Sequence, residues 1–186
     1  MGGSVIIVRH TQVALHWRGR CYGSSDPGLS REGRRAADRL ARKLAEKPID
    51  LVIHSGLRRA EYLAERIAAM ANVPVQRDPR WKERDFGEWE GRTWNSIWRR
   101  TGSEMDGMLM RPRVYRPGGG ETTSELIRRA IAAWRSLPAG RRVIVVAHGG
   151  PIAAVRAHLS GKTLEEVMKN RLPEGGMVRL IKASGS

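Results

Sequence analysis

Two histidines are placed where chemistry is possible. His10 follows Arg9 and the apolar run Val5-Ile6-Ile7-Val8, and His148 follows Val143-Ile144-Val145-Val146-Ala147. A histidine directly behind an arginine suits nucleophilic attack on phosphorus. The imidazole must be neutral to attack, nearby cations depress its pKa in that direction, and a guanidinium fork matches phosphate oxygens. Taken alone, Arg9-His10 fits a core histidine satisfied by a backbone carbonyl better than an active site. Further pieces change that balance. Ser55-Gly56-Leu57-Arg58-Arg59-Ala60 follows a second apolar run, Leu51-Val52-Ile53. His148-Gly149-Gly150-Pro151 repeats the arrangement, with backbone N–H groups at a helix start open to an anion. Between them, Glu83-Arg84-Asp85-Phe86-Gly87-Glu88-Trp89-Glu90-Gly91 is rich in carboxylates and can supply a proton donor.

The elements that must carry these groups are legible from periodicity. Ser4–Val8, 51–53 and 143–147 read as buried strands, each ending in polar residues. Residues 12–30 show no period and carry Gly19, Gly23 and Asp26-Pro27-Gly28, so they read as a long loop. Ser30 is placed to cap a helix through Glu46, with Ala37, Leu40 and Leu44 on one face. Leu57, Ala60, Leu63, Ala64, Ile67 and Ala68 mark a second helix. Val73-Pro74-Val75 leads into a short strand, and 78–92 reads as loop. Thr93 caps a short helix whose Trp94, Ile97 and Trp98 share a face. Residues 102–121, broken by Gly102, Gly107, Pro112, Pro117 and Gly118-Gly119-Gly120, read as irregular. Leu126, Ile127, Ala130, Ile131 and Trp134 mark an amphipathic helix, Pro151 suits the first turn of another, and 177–181 reads as a last strand. Alternating strands and helices imply an α/β fold, with a mostly parallel sheet between two helical layers in one domain spanning 1–186. Ligands of such sheets bind beyond the carboxyl ends of the strands, where Arg9, His10 and His148 would converge.

Composition bounds the answer without deciding it. The chain has 186 residues and a formal charge of +15, carried by 28 arginines and 6 lysines against 19 acids. That balance attracts anions, whether nucleic acid, acidic lipid or small phosphorylated molecules. The single cysteine, Cys21, excludes an internal disulfide and any cysteine-based metal site. No apolar run approaches the length of a membrane span or a signal segment, so a soluble cytoplasmic protein is expected.

Taken in order along the chain, these motifs resemble the histidine phosphatase superfamily, which includes the phosphoglycerate mutases. Arg9-His10-Thr11 resembles its first-strand motif, Ser55-x-Leu57-x-Arg59-Ala60 its second, and Glu83-x-x-Phe86-Gly87-x-Trp89-Glu90-Gly91 its acid loop. Gly120-Glu121-Thr122 resembles the pre-helix motif and Ala147-His148-Gly149-Gly150 the last. The resemblance implies a phosphoglycerate mutase-like α/β/α sandwich in which His10 becomes a phosphohistidine. It further implies that Arg9, Arg59 and His148, with Gly149, hold the phosphoryl group. Glu83 would protonate the leaving oxygen and then activate water, and no metal or other cofactor is needed. Arg58 reads as a solvated helix start. Thr11 departs from the usual glycine, Leu63 from a common threonine, and His16 stands where many members carry an asparagine that touches phosphate. His16 is as readily a plain loop residue as a phosphate contact.

Gly19-x-Cys21-Tyr22-Gly23-x-x-Asp26-x-x-Leu29 resembles the first loop of the alpha-ribazole phosphatase-like subgroup. This implies a small phosphorylated substrate, alpha-ribazole 5′-phosphate among the candidates, with Tyr22 near it and Cys21 in packing. A mutase reading is weaker, because mutases of this superfamily carry a longer insertion after the acid loop. A reading from another class is a basic nucleic-acid binder, supported by Arg111, Arg113 and Arg116 near Tyr115 and by the pairs Arg99-Arg100, Arg128-Arg129 and Arg141-Arg142. These arginines are scattered and no nucleic-acid motif accompanies them, so no specific nucleic acid and no membrane are expected as partners. The chain is read as a monomer or homodimer. The segment around Met105, Met108 and Met110 reads as a wall that adapts to the organic part of a substrate.

Overall fold

The computed structural model describes residues 3–182. Five strands form one sheet in the order β3-β2-β4-β1-β5. β1 (Gly3–Arg9), β2 (Leu51–His54), β3 (Val75–Arg77) and β4 (Val143–Ala147) run parallel, and β5 (Met177–Lys182) lies antiparallel against β1. Side chains alternate across each strand, so the sheet feeds two cores. On one face Val8, Val52, Ile144 and Val146 meet α1 (Arg31–Ala45) and α2 (Arg58–Ala71) through Ala37, Ala41, Leu44, Leu63 and Ile67. On the other, Val5, Ile7, Ile53, Val143 and Val145 meet α5 (Thr123–Arg135) and α6 (Gly149–Ser160) through Ala130, Trp134, Ile152 and Val155. The three-layer α/β/α arrangement expected from the alternating pattern is the one observed.

Helix starts follow their capping residues. The Ser30 hydroxyl accepts a hydrogen bond from the Gly33 N–H at 2.8 Å and opens α1. Its replacement by Ala would cost roughly 1 kcal/mol. Thr93 likewise caps α3 (Trp94–Thr101), accepting from the Ser96 N–H. Within α3 only Ile97 is buried. Trp98 is 55% exposed, which corrects the expectation that it shares the inner face with Ile97. It lies one residue past Ile97, about 100° around the helix, and turns more than half of its surface to solvent. Residues 102–121 are irregular as expected, apart from short helical turns and α4 (Gly107–Met110). One element was not anticipated, α7 (Leu164–Lys169), which opens on a capping box between Thr163 and Glu166.

Candidate active site

The parallel strands deliver their ends to one edge. β1 and β4 pair through Arg9 and Ala147, and the ladder continues with the His10 N–H donating to the Ala147 carbonyl at 3.1 Å. His10 and His148 therefore leave neighbouring strands side by side, with ring centroids 5.1 Å apart. Both are essentially inaccessible to solvent.

Hydrogen bonds assign a tautomer to each ring. His10 Nδ1 lies 2.7 Å from the Thr11 carbonyl, which can only accept. Nδ1 thus carries the proton and Nε2 presents a bare lone pair. His148 is the mirror case. Its Nδ1 accepts from Arg59 Nε at 3.3 Å, so the proton sits on Nε2, which donates to Ser55 Oγ at 2.7 Å. The Leu57 N–H in turn donates to Ser55 Oγ. Burial, with Arg59 and Arg9 nearby, holds the His10 pKa well below its ordinary 6.5 against the opposing pull of the Thr11 carbonyl. Burial, Arg59, His10 and Arg9 do the same to His148. Both imidazoles are neutral at pH 7.

Arg59 stands on the first turn of α2 and is fully buried. NH1 donates to the Ser25 carbonyl at 2.7 Å and NH2 to the Gly23 carbonyl at 2.6 Å, while Nε holds His148. Three of the five N–H groups of a guanidinium are thereby used, leaving two for a ligand. Its Cζ lies 5.1 Å from the centre of the Tyr22 ring, and that ring meets His10 edge-on at 6.4 Å. Arg9 is anchored differently. NH1 donates to the Leu172 carbonyl at 2.7 Å, but its buried Nε has no partner. An orphaned buried donor on a cation is costly unless an anion visits it.

Glu83 faces the same space. Its carboxylate accepts from the Gly150 N–H at 3.1 and 3.2 Å and from the Arg84 N–H at 2.9 Å. Glycine at position 150 lets the Glu83 carboxylate lie against the backbone, since a Cβ there would stand 2.4 Å from Glu83 Oε1 and push it aside. A Cβ at position 149 would lie 3.5 Å from Glu83 Oε2 and 3.8 Å from Arg9 Cζ, so Gly149 forms the floor between acid and cation. A cleft of about 560 Å³ opens beside the acid loop, bordered by Ser24, Lys82, Glu83, Arg116, Glu121 and Arg129.

His10, His148, Arg9, Arg59, Glu83, Gly149 and Tyr22 thus gather at one sheet edge. His16 does not join them. It is exposed on the turn Leu15–Trp17, its ring 5.9 Å from that of Trp17. Arg58 is solvated at the start of α2, as expected, and pairs with Asp26. Cys21 is buried beside Trp89 and Ile97, its thiol pushed up to about 12 by burial and by Glu90 and Glu83, which suits packing rather than reactivity. Among the described residues, no three His, Cys, Asp or Glu side chains gather as metal ligands, and no helix is long and apolar enough to cross a membrane.

Two residues were missed by sequence reasoning. Arg129, read as half of a surface pair, grips Glu121 through Nε at 2.6 Å and NH2 at 2.8 Å. It also donates to the carbonyls of Arg80, Lys82 and Glu83, fixing the backbone that carries the Glu83 carboxylate. Ser55 reads in the sequence only as part of a motif, yet its hydroxyl orients His148. The spacing of a motif locates such residues but does not say which way they point.

The curated relatives are similar over most of their length. Glucosyl-3-phosphoglycerate phosphatase of Mycolicibacterium vanbaalenii is 30% identical over 84% of this chain and 74% of its own. A 2,3-bisphosphoglycerate-dependent phosphoglycerate mutase of Chelativorans sp. is 28% identical over 94% of this chain and 90% of its own. A solved mycobacterial glucosyl-3-phosphoglycerate phosphatase superposes with a TM-score of 0.84 at 26% identity, covering 97% of this chain and 91% of that one. Residues 5–185 match the family profile, and the chain belongs to the histidine phosphatase superfamily (branch 1).

Proposed function

We propose that the protein is a phosphomonoester hydrolase that works through a phosphohistidine at His10 and draws its catalytic charge from its own side chains rather than a metal. The observation that carries this is the bare Nε2 of the buried His10 beside two arginines with unused donors. In the first step Nε2 attacks phosphorus in line with the ester oxygen, the N–P bond forms and the P–O bond breaks. Glu83 gives its proton to the departing oxygen. The charge on the phosphorylated ring is delocalised toward Nδ1–H and its Thr11 acceptor. In the second step the Glu83 carboxylate takes a proton from water as the water oxygen attacks phosphorus. The N–P bond then breaks, releasing phosphate and neutral His10. Arg9 and Arg59 neutralise the phosphoryl oxygens throughout, the electrostatic term that usually dominates such transfers.

His148 requires one further proton. Both of its ring nitrogens are engaged, so it can donate to a phosphoryl oxygen only after Nδ1 is protonated. An arriving dianion favours that uptake by offsetting the two arginines. The organic part of the ester would occupy the cleft beside Glu83, a space for a small metabolite. The loop from Gly19 to Leu29 keeps alpha-ribazole 5′-phosphate among the candidates. Hydrolysis is preferred to mutase chemistry because α3 starts at Trp94, directly after the acid loop, leaving little chain there to shield a phosphohistidine from water.

The test uses a ³²P-labelled phosphoester with rapid quenching. Label that survives base and is lost in acid, and that is absent from His10→Ala, supports the reading. Full activity in His10→Ala would end it. Phosphate delivered to a phosphoglycerate instead of water would favour a mutase.

A further inference from the structure

We propose that Glu90 is a positioning residue for phosphate binding that acts through the 23–25 loop on Arg59. The inference rests on the reading that Arg59 holds the phosphoryl group. Glu83 and Glu90 belong to the same carboxylate-rich stretch, yet the structure separates their surroundings. Glu83 borders open space, whereas Glu90 is saturated with donors. Its Oε1 accepts from the Ser24 N–H at 2.7 Å, the Ser24 hydroxyl at 2.9 Å and the Phe86 N–H at 3.1 Å. Its Oε2 accepts from the Ser25 N–H at 2.6 Å and from the Ser25 hydroxyl. Burial alone would push the Glu90 pKa up, but the donors from Ser25, Phe86 and Ser24 bring it below its ordinary value, so the carboxylate stays charged.

The same short loop faces Arg59 with its carbonyls. NH1 and NH2 of Arg59 end on Ser25 and Gly23, and its Nε ends on His148. Glu90 therefore fixes the Gly23–Ser24 peptide, whose own carbonyl meets NH2 of Arg59, and the N–H of Ser25, whose carbonyl on the next peptide meets NH1. Gly23 leaves no slack, since a Cβ there would come within 2.5 Å of Glu90 Oε1 and 2.4 Å of the Arg84 carbonyl. The aim of Arg59 and the tautomer of His148 thus share one anchor, which lies on neither of their own elements.

Glu90→Gln exposes this relay. An amide keeps one oxygen and presents N–H groups at the other position. The serine hydroxyls can rotate to accept from it, but a backbone N–H cannot. With the amide nitrogen at the Oε2 position, the Ser25 N–H loses its acceptor and the Ser25 residue, whose carbonyl holds NH1 of Arg59, is released from its place. One unmet buried donor of this kind is worth about tenfold in an equilibrium.

The experiment is a double-mutant cycle on the full chain with p-nitrophenyl phosphate as substrate and inorganic phosphate as inhibitor. Glu90→Gln is expected to raise the phosphate Ki and lower kcat/KM by about tenfold. The Arg59→Ala, Glu90→Gln double variant is expected to be no worse than Arg59→Ala alone, because an effect transmitted through Arg59 vanishes with it. Losses that multiply would overturn the proposal, as would a fall in thermal stability with an unmoved phosphate Ki. If Glu90→Gln does not fold, Ser25→Ala takes its place in the cycle, with the same direction, a smaller change and the same criterion. An unchanged phosphate Ki in Arg59→Ala would instead strike at the phosphoryl role of Arg59 itself, and the positioning role would fall with it.

Discussion

The strand-end cluster and the segment from Trp94 to Glu121 border one another but are built on opposite terms. In the cluster, His10, Arg59 and His148 are inaccessible to solvent, and each polar atom that is fixed is fixed by backbone or by a neighbour that is itself fixed. In the segment, Trp98, Leu109, Met110 and Val114 are exposed, and Arg99, Arg100, Arg111 and Arg113 form no ion pair among the described residues. Its inner layer packs, with Ile97, Met105, Met108 and Tyr115 gathered against Cys21 and Trp89. On the proposed reading, the chemistry belongs to the sheet edge, where geometry is over-determined, and adaptation to the exposed outer face of the segment, where fewer contacts would be broken by movement.

The comparison breaks first if the cluster tolerates change. His10→Ala is expected to lower kcat by about 10⁴-fold or more, the scale of losing a nucleophile. Steady-state assays with several phosphoesters check it. Glu83→Gln is expected to lose about 10²–10⁴-fold with alkyl phosphates, where the leaving oxygen must be protonated. With p-nitrophenyl phosphate, whose leaving group needs little help, the loss should be far smaller. Equal losses on both substrates would remove the acid role and move the loss to the shared second step, in which Glu83 takes the proton from water.

Acid should strain the cluster more than the segment. Both buried histidines have folded-state pKa values below 6.5, so the unfolded chain binds the extra protons. Stability is then fully present above pH 6.5 and is lost as pH falls toward the depressed values. Melting temperature is expected to decline over that range, and less steeply in His148→Asn. Inorganic phosphate should flatten the decline, since the dianion favours the protonated form of His148. A slope unaffected by His148→Asn would place the acid sensitivity elsewhere.

Much of this contrast was legible before the fold was known, and the exceptions share a cause. Strand ends, the cap at Ser30 and the order of motifs are local, and the structure returns them nearly residue for residue. The Arg9 anchor is not local. It depends on Leu172, brought back by α7 and the turn that leads into β5. The capping box Thr163-x-x-Glu166 was a visible signal for α7, but six residues give too little periodicity to stand out. The division of labour between Glu83 and Glu90 was hidden for another reason: two carboxylates in one motif look alike until their donors are known. The arginine excess also separates only in three dimensions. Arg59, Arg84 and Arg129 are inside the site or its supports, while Arg58, Arg66, Arg80, Arg116 and Arg142 pair with acids at the surface.

Within the segment, the inner and outer layers should respond differently, and this is the finest way to sharpen the comparison. Ile97 is 1% exposed against Cys21 and Trp89, so Ile97→Ala is expected to cost about 2–5 kcal/mol in unfolding free energy, read by denaturant titration. Met110 is 80% exposed and Trp98 55%, so Met110→Ser and Trp98→Ala should stay within about 0.5 kcal/mol of the parent. Neither outer variant should move kcat/KM for p-nitrophenyl phosphate by more than about twofold, because neither side chain reaches the cluster and such surface changes leave buried geometry intact. Their effect belongs in KM for bulkier esters, whose organic part extends past Glu83 toward the segment. An outer variant that cut turnover of the small substrate as deeply as that of large ones would mean that the segment holds the cluster in place, and the division between rigid chemistry and adaptable wall would have to be redrawn.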